Sequence, residues 1–133
     1  MNVFRYEGSM GRLTDVEYVS TLPEGFDETS YCADVHVSAD GRFLYGSNRG
    51  HDSIVVYEIN QATGRITAIQ HEPTQGNFPR NFGIAPNGEI LLVANQNDDN
   101  IVAYTIDKES GKLTPTGAVT ESPTPICVKF LEL

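Results

Sequence analysis

A run of 33 residues occurs twice in this chain, 47 positions apart and without a gap. Residues 35–67 read VHVSADGRFLYGSNRGHDSIVVYEINQATGRIT, and residues 82–114 read FGIAPNGEILLVANQNDDNIVAYTIDKESGKLT. Ten positions are identical: Gly41/Gly88, Leu44/Leu91, Asn48/Asn95, Asp52/Asp99, Ile54/Ile101, Val55/Val102, Tyr57/Tyr104, Ile59/Ile106, Gly64/Gly111 and Thr67/Thr114. Such a repeat constrains architecture before any single residue does, because each unit must bury its faces against its neighbours. The pattern also runs past both copies. Residues 3–14 (VFRYEGSMGRLT) match the back half of the unit, with Gly11 standing where Gly64 stands, and residues 125–130 (PICVKF) match PRNFGI at 79–84.

Within each unit the signals are those of short strands. ADVHVS and NFGIA open the units, and the turns Ala39-Asp40-Gly41 and Pro86-Asn87-Gly88 follow. Asp-Gly and Asn-Gly supply the backbone that a tight hairpin needs. Second strands are expected at 43–47 and 90–94, third strands at 54–59 and 101–106, and fourth strands at 66–70 and 113–116. Seven prolines and runs rich in Val, Ile and Tyr argue against helices. Four antiparallel strands in a unit of about 45 residues make a propeller blade. The predicted fold is therefore all-β: two complete four-stranded blades with partial blades at both ends, eleven strands in all. The expected divisions are 1–29 (back half of a blade and its connection), 30–78 (a blade), 79–124 (a blade) and 125–133 (the first strand of a closing blade). Propellers have about 4–8 blades, so the chain reads as part of a ring.

Composition narrows the function. With 133 residues and 14.6 kDa the chain suits one modest domain. Its net charge of −9 and pI of 4.6 disfavour phosphate backbones and anionic lipid, so neither nucleic acid nor membrane is expected as a partner. The N-terminus MNVFRYEGSMGR has no apolar secretory core, and a cytoplasmic location is expected. Cys32 and Cys127 fall in no metal-binding spacing; two buried thiols are expected, with a disulfide as the alternative.

A meander sends alternate loops to opposite faces. The tight glycine turns share one face and are explained by backbone geometry. The loops NRGHD and NQNDD share the other with the long connections PEGFDETSY and HEPTQGNFPRN, and chemistry is expected there. The candidates converging on it are Asp34, Asn48, Arg49, His51, Asp52, Arg80, Asn81, Asn95, Gln96 and Asn97. Arg49 and Arg80 suit a bidentate grip on a phosphate or carboxylate. The alternatives are a salt bridge from Arg49 to Asp34 or Asp52 and a solvated loop charge at Arg80. His51 is either a general base or a surface residue. Asn48 and Asn95, at equivalent repeat positions, suit turn capping as well as substrate binding, and Asp52 and Asp99 suit bonding to their own loops. His36 alternates with Val35 and Val37, which places it either between blades or in the channel.

At these residues a resemblance becomes specific. ADVHVSADGRFLYGSNRGHDSI, then FPRNFGIAPNGEILLVANQNDDNI and PTPICVKF, resemble the C-terminal third of the lactonase family of seven-bladed propellers, which includes the bacterial propeller-type 6-phosphogluconolactonases. The resemblance implies Arg49 and Arg80 as basic residues at a channel-mouth site and Asp34 as an acidic one. It implies hydrolysis of a small sugar-phosphate lactone, 6-phosphoglucono-lactone, to 6-phosphogluconate in the pentose phosphate route of carbohydrate metabolism. In that reading Asp34, His36, Arg49, His51 and Arg80 are the catalytic candidates, and Asn48, Asn81, Asn95 and Gln96 bind substrate. No cofactor or metal is called for. The other reading is a non-catalytic binding or scaffold propeller that has lost lactonase activity. Open strand edges at both ends predict a homo-oligomer.

Overall fold

The structure, a computed structural model, describes residues 1–131. Those residues form ten strands: β1 (Asn2–Glu7), β2 (Arg12–Tyr18), β3 (Tyr31–Val37), β4 (Phe43–Arg49), β5 (Ser53–Ile59), β6 (Ile66–Pro73), β7 (Pro79–Ile84), β8 (Ile90–Asn95), β9 (Asn100–Ile106) and β10 (Leu113–Glu121). All pairing is antiparallel and sequential, giving a β1–β2 hairpin and two four-stranded sheets, β3–β6 and β7–β10. The two sheets are the predicted blades. The hairpin matches the back half of a blade, as its sequence match to residues 55–67 implied. No helix of the structure is long and apolar enough to cross a membrane.

The repeat dictates the packing. In each strand alternate side chains point to opposite faces of the sheet, so each blade has a front that meets the preceding unit and a back that meets the next. The back of the first blade, Phe43, Tyr45, Ile54 and Val56, packs on the front of the second, Phe82, Leu91, Val93, Val102, Tyr104 and Leu113. The front of the first blade, Leu44, Val55, Tyr57 and Ile66, stands 47 residues before Leu91, Val102, Tyr104 and Leu113 and forms a second cluster with Met1, Val3 and Val19 of the hairpin region. Side chains grip the neighbouring backbone at the same places. Gln70 accepts from the Leu113 N–H at 2.8 Å and donates to the Leu113 carbonyl at 2.9 Å, while Glu17 accepts from the Ile66 N–H at 2.6 Å.

Two expectations need correction. Residues 122–131 form no strand, so ten strands stand where eleven were expected. The segment meets β7 through the face of the sheet: the Val128 N–H donates to Asn81 Oδ1 at 2.6 Å, and Val128 and Phe130 lie over Gly83. Contact through a face builds no ladder. Glu132 and Leu133, also assigned to that strand, lie outside the described residues. The cysteines are not buried; both are free and exposed, Cys32 on the edge strand β3 and Cys127 in the segment after β10.

Candidate functional site

The C-terminal ends of β4, β6 and β8 and the N-terminal ends of β3, β5 and β7 lie on one face together with the long connections. Repeated residues fold those connections. The Asn48 amide, fully buried, donates to the Thr21 carbonyl at 2.7 Å, and the buried Asn95 amide donates to the Thr74 carbonyl at 3.0 Å. One residue earlier in each connection, the Ser20 carbonyl accepts from the Tyr57 hydroxyl at 2.7 Å and the Pro73 carbonyl from the Tyr104 hydroxyl at 2.8 Å. Asp52 accepts from Gly50 N–H in its own loop and from Phe78 N–H and the Asn77 amide in the next connection. Asp99 accepts from Thr124 N–H, again in the following connection. Asp52 and Asp99 both have positive φ, 53° and 50°, which aspartate tolerates. Asn48 and Asn95 thus shape the face from beneath and have no exposed surface on it.

On the inner edge of the first blade, Asp34 sits within a register irregularity of β3, where its N–H donates to Ser47 Oγ at 3.1 Å. A bulge re-aims its side chain, and this one turns toward the second blade. The Asp34 carboxylate accepts from its neighbour Val35 N–H at 2.9 Å, from the Asn81 amide, from Phe82 N–H at 3.3 Å and pairs with His36 Nε2 at 3.1 Å. The ring of His36 meets Phe82 edge-on, centroids 4.8 Å apart. Asp34, His36 and Asn81 therefore form one cluster between the inner strands of adjacent blades. His36 lies between blades in a half-buried position, 32% of its side chain exposed.

Arg49 ends β4, opposite Tyr31 at the start of β3. Its guanidinium donates to the Cys32 carbonyl at 3.1 Å and lies 5.1 Å from the ring centroid of Phe78, a cation–π distance. It forms no salt bridge with Asp34 or Asp52 among the described residues, and its Nε is buried without a partner. Gln96, the repeat equivalent of Arg49, also leaves a buried side-chain atom, Oε1, unpaired. Phe78 holds its ring under Arg49 through a left-handed backbone, φ 65°, rare for a bulky residue and fixed here by hydrogen bonds at both its N–H and its carbonyl. Arg80, two residues on, is exposed in β7 and has no ion-pair partner among the described residues. Sequence reasoning did not single out Phe78 or Ser47, although the FPRN run flagged the neighbourhood of the first and the DGRFLYGSNR run that of the second.

His51 stands apart from Asp34 and His36. Its Nδ1 is 2.7 Å from Ser53 Oγ, and its ring packs against Phe26 at 4.7 Å and His71 at 6.1 Å. His71 Nε2 donates to the Thr21 carbonyl, while burial pushes its pKa below the ordinary histidine value. Asn97 bonds Asn77 across the loops and does not join the Asp34 cluster. Among the described residues no group of His, Cys, Asp and Glu is placed to hold a metal ion. A cleft of about 310 Å³ opens on the opposite, tight-turn face, between the blades, with Phe43, Tyr45, Ile84 and Ile106 beneath and Asp40, Arg42 and Lys108 at its rim. Its cations are already matched, Arg42 by Asp40 and Lys108 by Glu89.

Comparison with known proteins agrees with this architecture. Residues 1–130 match the family model described as Lactonase, 7-bladed beta-propeller. The chain is 40% identical over 126 residues to a 6-phosphogluconolactonase of Bacillus subtilis, covering 95% of this chain and 36% of that protein. A 6-phosphogluconolactonase of Formosa agariphila is 57% identical over 57 residues, 41% of this chain and 16% of that one. Among solved structures, a protein from Lactobacillus plantarum superposes with a TM-score of 0.95 at 36% identity, over 98% of this chain and 38% of that chain. A periplasmic gluconolactonase from Pseudomonas aeruginosa superposes with a TM-score of 0.92 at 34% identity, over 98% and 36%. The chain thus spans little more than a third of the longest-matching relatives.

Proposed function

Because the chain belongs to the lactonase family of seven-bladed β-propellers, we propose that its connection-bearing face contributes to a site that opens 6-phosphoglucono-lactone to 6-phosphogluconate. The observation that carries this reading is Arg49: a guanidinium held over Phe78 with a buried, unpaired Nε and no ion-pair partner among the described residues, in a chain with 18 carboxylates. A charge held in place and left unmatched suits an anionic ligand. Arg80, exposed near the start of β7, adds a second positive charge on the same face.

The chemistry asks for water activation and stabilisation of an oxyanion. In the proposal His36, oriented by Asp34, takes a proton from water as its oxygen bonds to the lactone carbonyl carbon. The tetrahedral intermediate then breaks the ring C–O bond, and the proton passes to the leaving ring oxygen. Asp34 itself, already accepting from three other groups, serves as a positioning residue. Arg49 and Arg80 hold the phosphate or the developing oxyanion, and Asn81 and Gln96 contact the sugar. A cytoplasmic site of action belongs to the same proposal. The test is acid release from 6-phosphoglucono-lactone by the purified chain, above the spontaneous rate. His36→Ala and Arg49→Ala should each lower it by about tenfold or more.

One observation favours a second reading. The Asp34 carboxylate is saturated and His51 is occupied by Ser53, so the free bases on this face are few. A face that binds a sugar phosphate without turning it over fits that. Binding of 6-phosphogluconate, lost in Arg49→Ala, with no acceleration of lactone opening would select it.

A further inference from the structure

The two copies of the unit shape the connections that follow them in the same way and furnish them with different side chains. Asp52 Oδ1 accepts from the Phe78 N–H at 2.9 Å, and Asp99 Oδ1, its repeat equivalent, accepts from the Thr124 N–H at 2.7 Å. Phe78 and Thr124 are both left-handed, φ 65° and 45°, and each immediately precedes a proline, Pro79 or Pro125. Left-handed backbone is unfavourable for any residue with a β-carbon and persists only where the surroundings fix it. A following proline restricts the residue further. Threonine meets these demands in the second copy, so the backbone itself asks for no aromatic ring in the first.

What differs between the copies is the residue after the repeated asparagine. It is Arg49 after Asn48 and Gln96 after Asn95. Phenylalanine occurs in the copy that carries the guanidinium, threonine in the copy that carries an uncharged amide. The Arg49 guanidinium carbon lies 5.1 Å from the centroid of the Phe78 ring. Among the described residues that guanidinium makes one hydrogen bond, from Nη2 to the Cys32 carbonyl at 3.1 Å. The ring is therefore its second restraint. Phe78 is itself held twice: Asp52 takes its N–H, and its carbonyl accepts from the Gln96 N–H at 3.1 Å. Asp52 also accepts from the Gly50 N–H at 3.0 Å, directly after Arg49, and so ties the arginine's loop to the connection that carries the ring. Arg49, Asp52, Phe78 and Gln96 all lie within the two complete blades or the connection that joins them.

We propose that Phe78 is a positioning residue of the anion site: its ring face fixes the Arg49 guanidinium before a ligand arrives. The proposal rests on the reading of Arg49 as an anion-binding group. A free arginine loses the rotamer freedom of a long side chain when it grips a ligand. One already seated on an aromatic face loses less, and its affinity rises accordingly. Phe78 acts through Arg49, and Asp52 acts through Phe78.

The test is isothermal titration of variants with 6-phosphogluconate, together with the NMR resonance of the Arg49 Nε–H in the ligand-free chain. Phe78→Thr installs the residue that the second copy carries in this backbone and removes the ring. Phe78→Leu removes the ring and keeps apolar bulk. Each should weaken binding by about tenfold, the loss of one cation–π contact. Phe78→Tyr, which keeps the ring, should stay within about twofold. In an Arg49→Gln background, which reproduces the second copy, Phe78→Thr should have no further effect. The Arg49 Nε–H resonance, shifted by the adjacent ring, should move in Phe78→Thr and Phe78→Leu and hold in Phe78→Tyr. Full affinity in both ringless variants overturns the proposal, as does an equal loss from Phe78→Thr with and without the arginine. If the unaltered chain binds no 6-phosphogluconate, the reading of the face falls instead, and the ligand-free resonance alone decides Phe78: unmoved in both ringless variants, it overturns the positioning role.

Discussion

The side-chain amide of Asn48 lies 2.7 Å from the carbonyl oxygen of Thr21, 27 residues earlier in the chain, and both groups are shut away from water. The second copy of the unit repeats this contact between Asn95 and Thr74, at a separation of 21. A buried carbonyl needs a donor, and the connection arriving at each blade has no ladder of its own to supply one. The repeated asparagine does so, which fixes where the connection crosses the site face.

Asn48→Ala should therefore destabilise the chain by about 1 kcal/mol, the worth of one buried hydrogen bond, because His71 Nε2 still donates to the Thr21 carbonyl. Asn48→Asp should cost more, because a carboxylate turned toward the Thr21 carbonyl has no proton to give. Urea denaturation of the two variants measures both, and a cost near zero for Asn48→Ala would remove the asparagine from this role.

Tyr57 makes the companion contact to the Ser20 carbonyl, and burial raises its pKa from 10.0 to about 12. A raised folded-state pKa means that the stabilisation is fully present below the unfolded value and is lost as pH rises through the folded one. Stability should therefore fall between about pH 10 and about pH 12. Tyr57→Phe should cost about 1 kcal/mol below pH 10 and flatten the profile above it. Phe4, the hairpin's counterpart of Tyr57, already lacks the hydroxyl. Denaturant midpoints at several alkaline pH values would show whether the two curves converge.

Arg80→Ala should weaken phosphate or phosphosugar binding more than Lys112→Ala does. Arg80 lies on the face that bears Arg49, whereas Lys112 sits at the tight turn before β10. A charge-assisted contact in a binding site is worth about 1.5–3 kcal/mol, an exposed surface lysine about 0–1. Isothermal titration of both variants with 6-phosphogluconate compares them, and equal losses would count against the face assignment.

Most of the fold was legible because its information is periodic. The 47-residue offset placed the strands, and every residue of the inter-blade core, Phe43 and Tyr104 included, falls within the repeat or its immediate flanks. The site was less legible because its contacts cross between periodic and aperiodic parts. Asn48 was visible as a repeated residue, yet Thr21 was not visible as its partner, since the two connections differ in length. Arg49 was expected to meet either a ligand or a carboxylate; its actual neighbours, a backbone carbonyl and the face of Phe78, depend on a left-handed residue in an irregular loop. Asp52 reached beyond its own loop for the same reason: the amide of Phe78 arrives from 26 residues away. The exposure of Cys32 follows from β3 being an edge strand, and that of Cys127 from a segment that joins no sheet, which residue type alone does not announce.

Gly64 and Gly111 occupy the same repeat position and the same left-handed conformation, φ 75° and 70°, at the turn between third and fourth strands. Alanine at either position pays for that backbone, about 1–2 kcal/mol. The surroundings differ. A methyl group on Gly64 meets nothing within 4 Å, whereas one on Gly111 would lie 2.4 Å from the ring of Phe43. That ring is 5% exposed and wedged between the blades, and the Gly111 carbonyl also accepts from the Tyr45 hydroxyl at 2.9 Å. Overpacking of this kind adds about 1–3 kcal/mol. Gly111→Ala should therefore destabilise the chain by more than Gly64→Ala, by about that increment, and Phe43→Leu should recover part of the difference in the Gly111→Ala background alone. Urea midpoints of the four single and double variants decide it: equal costs for the two glycines would show that the blades do not press together at Phe43 as the structure has them.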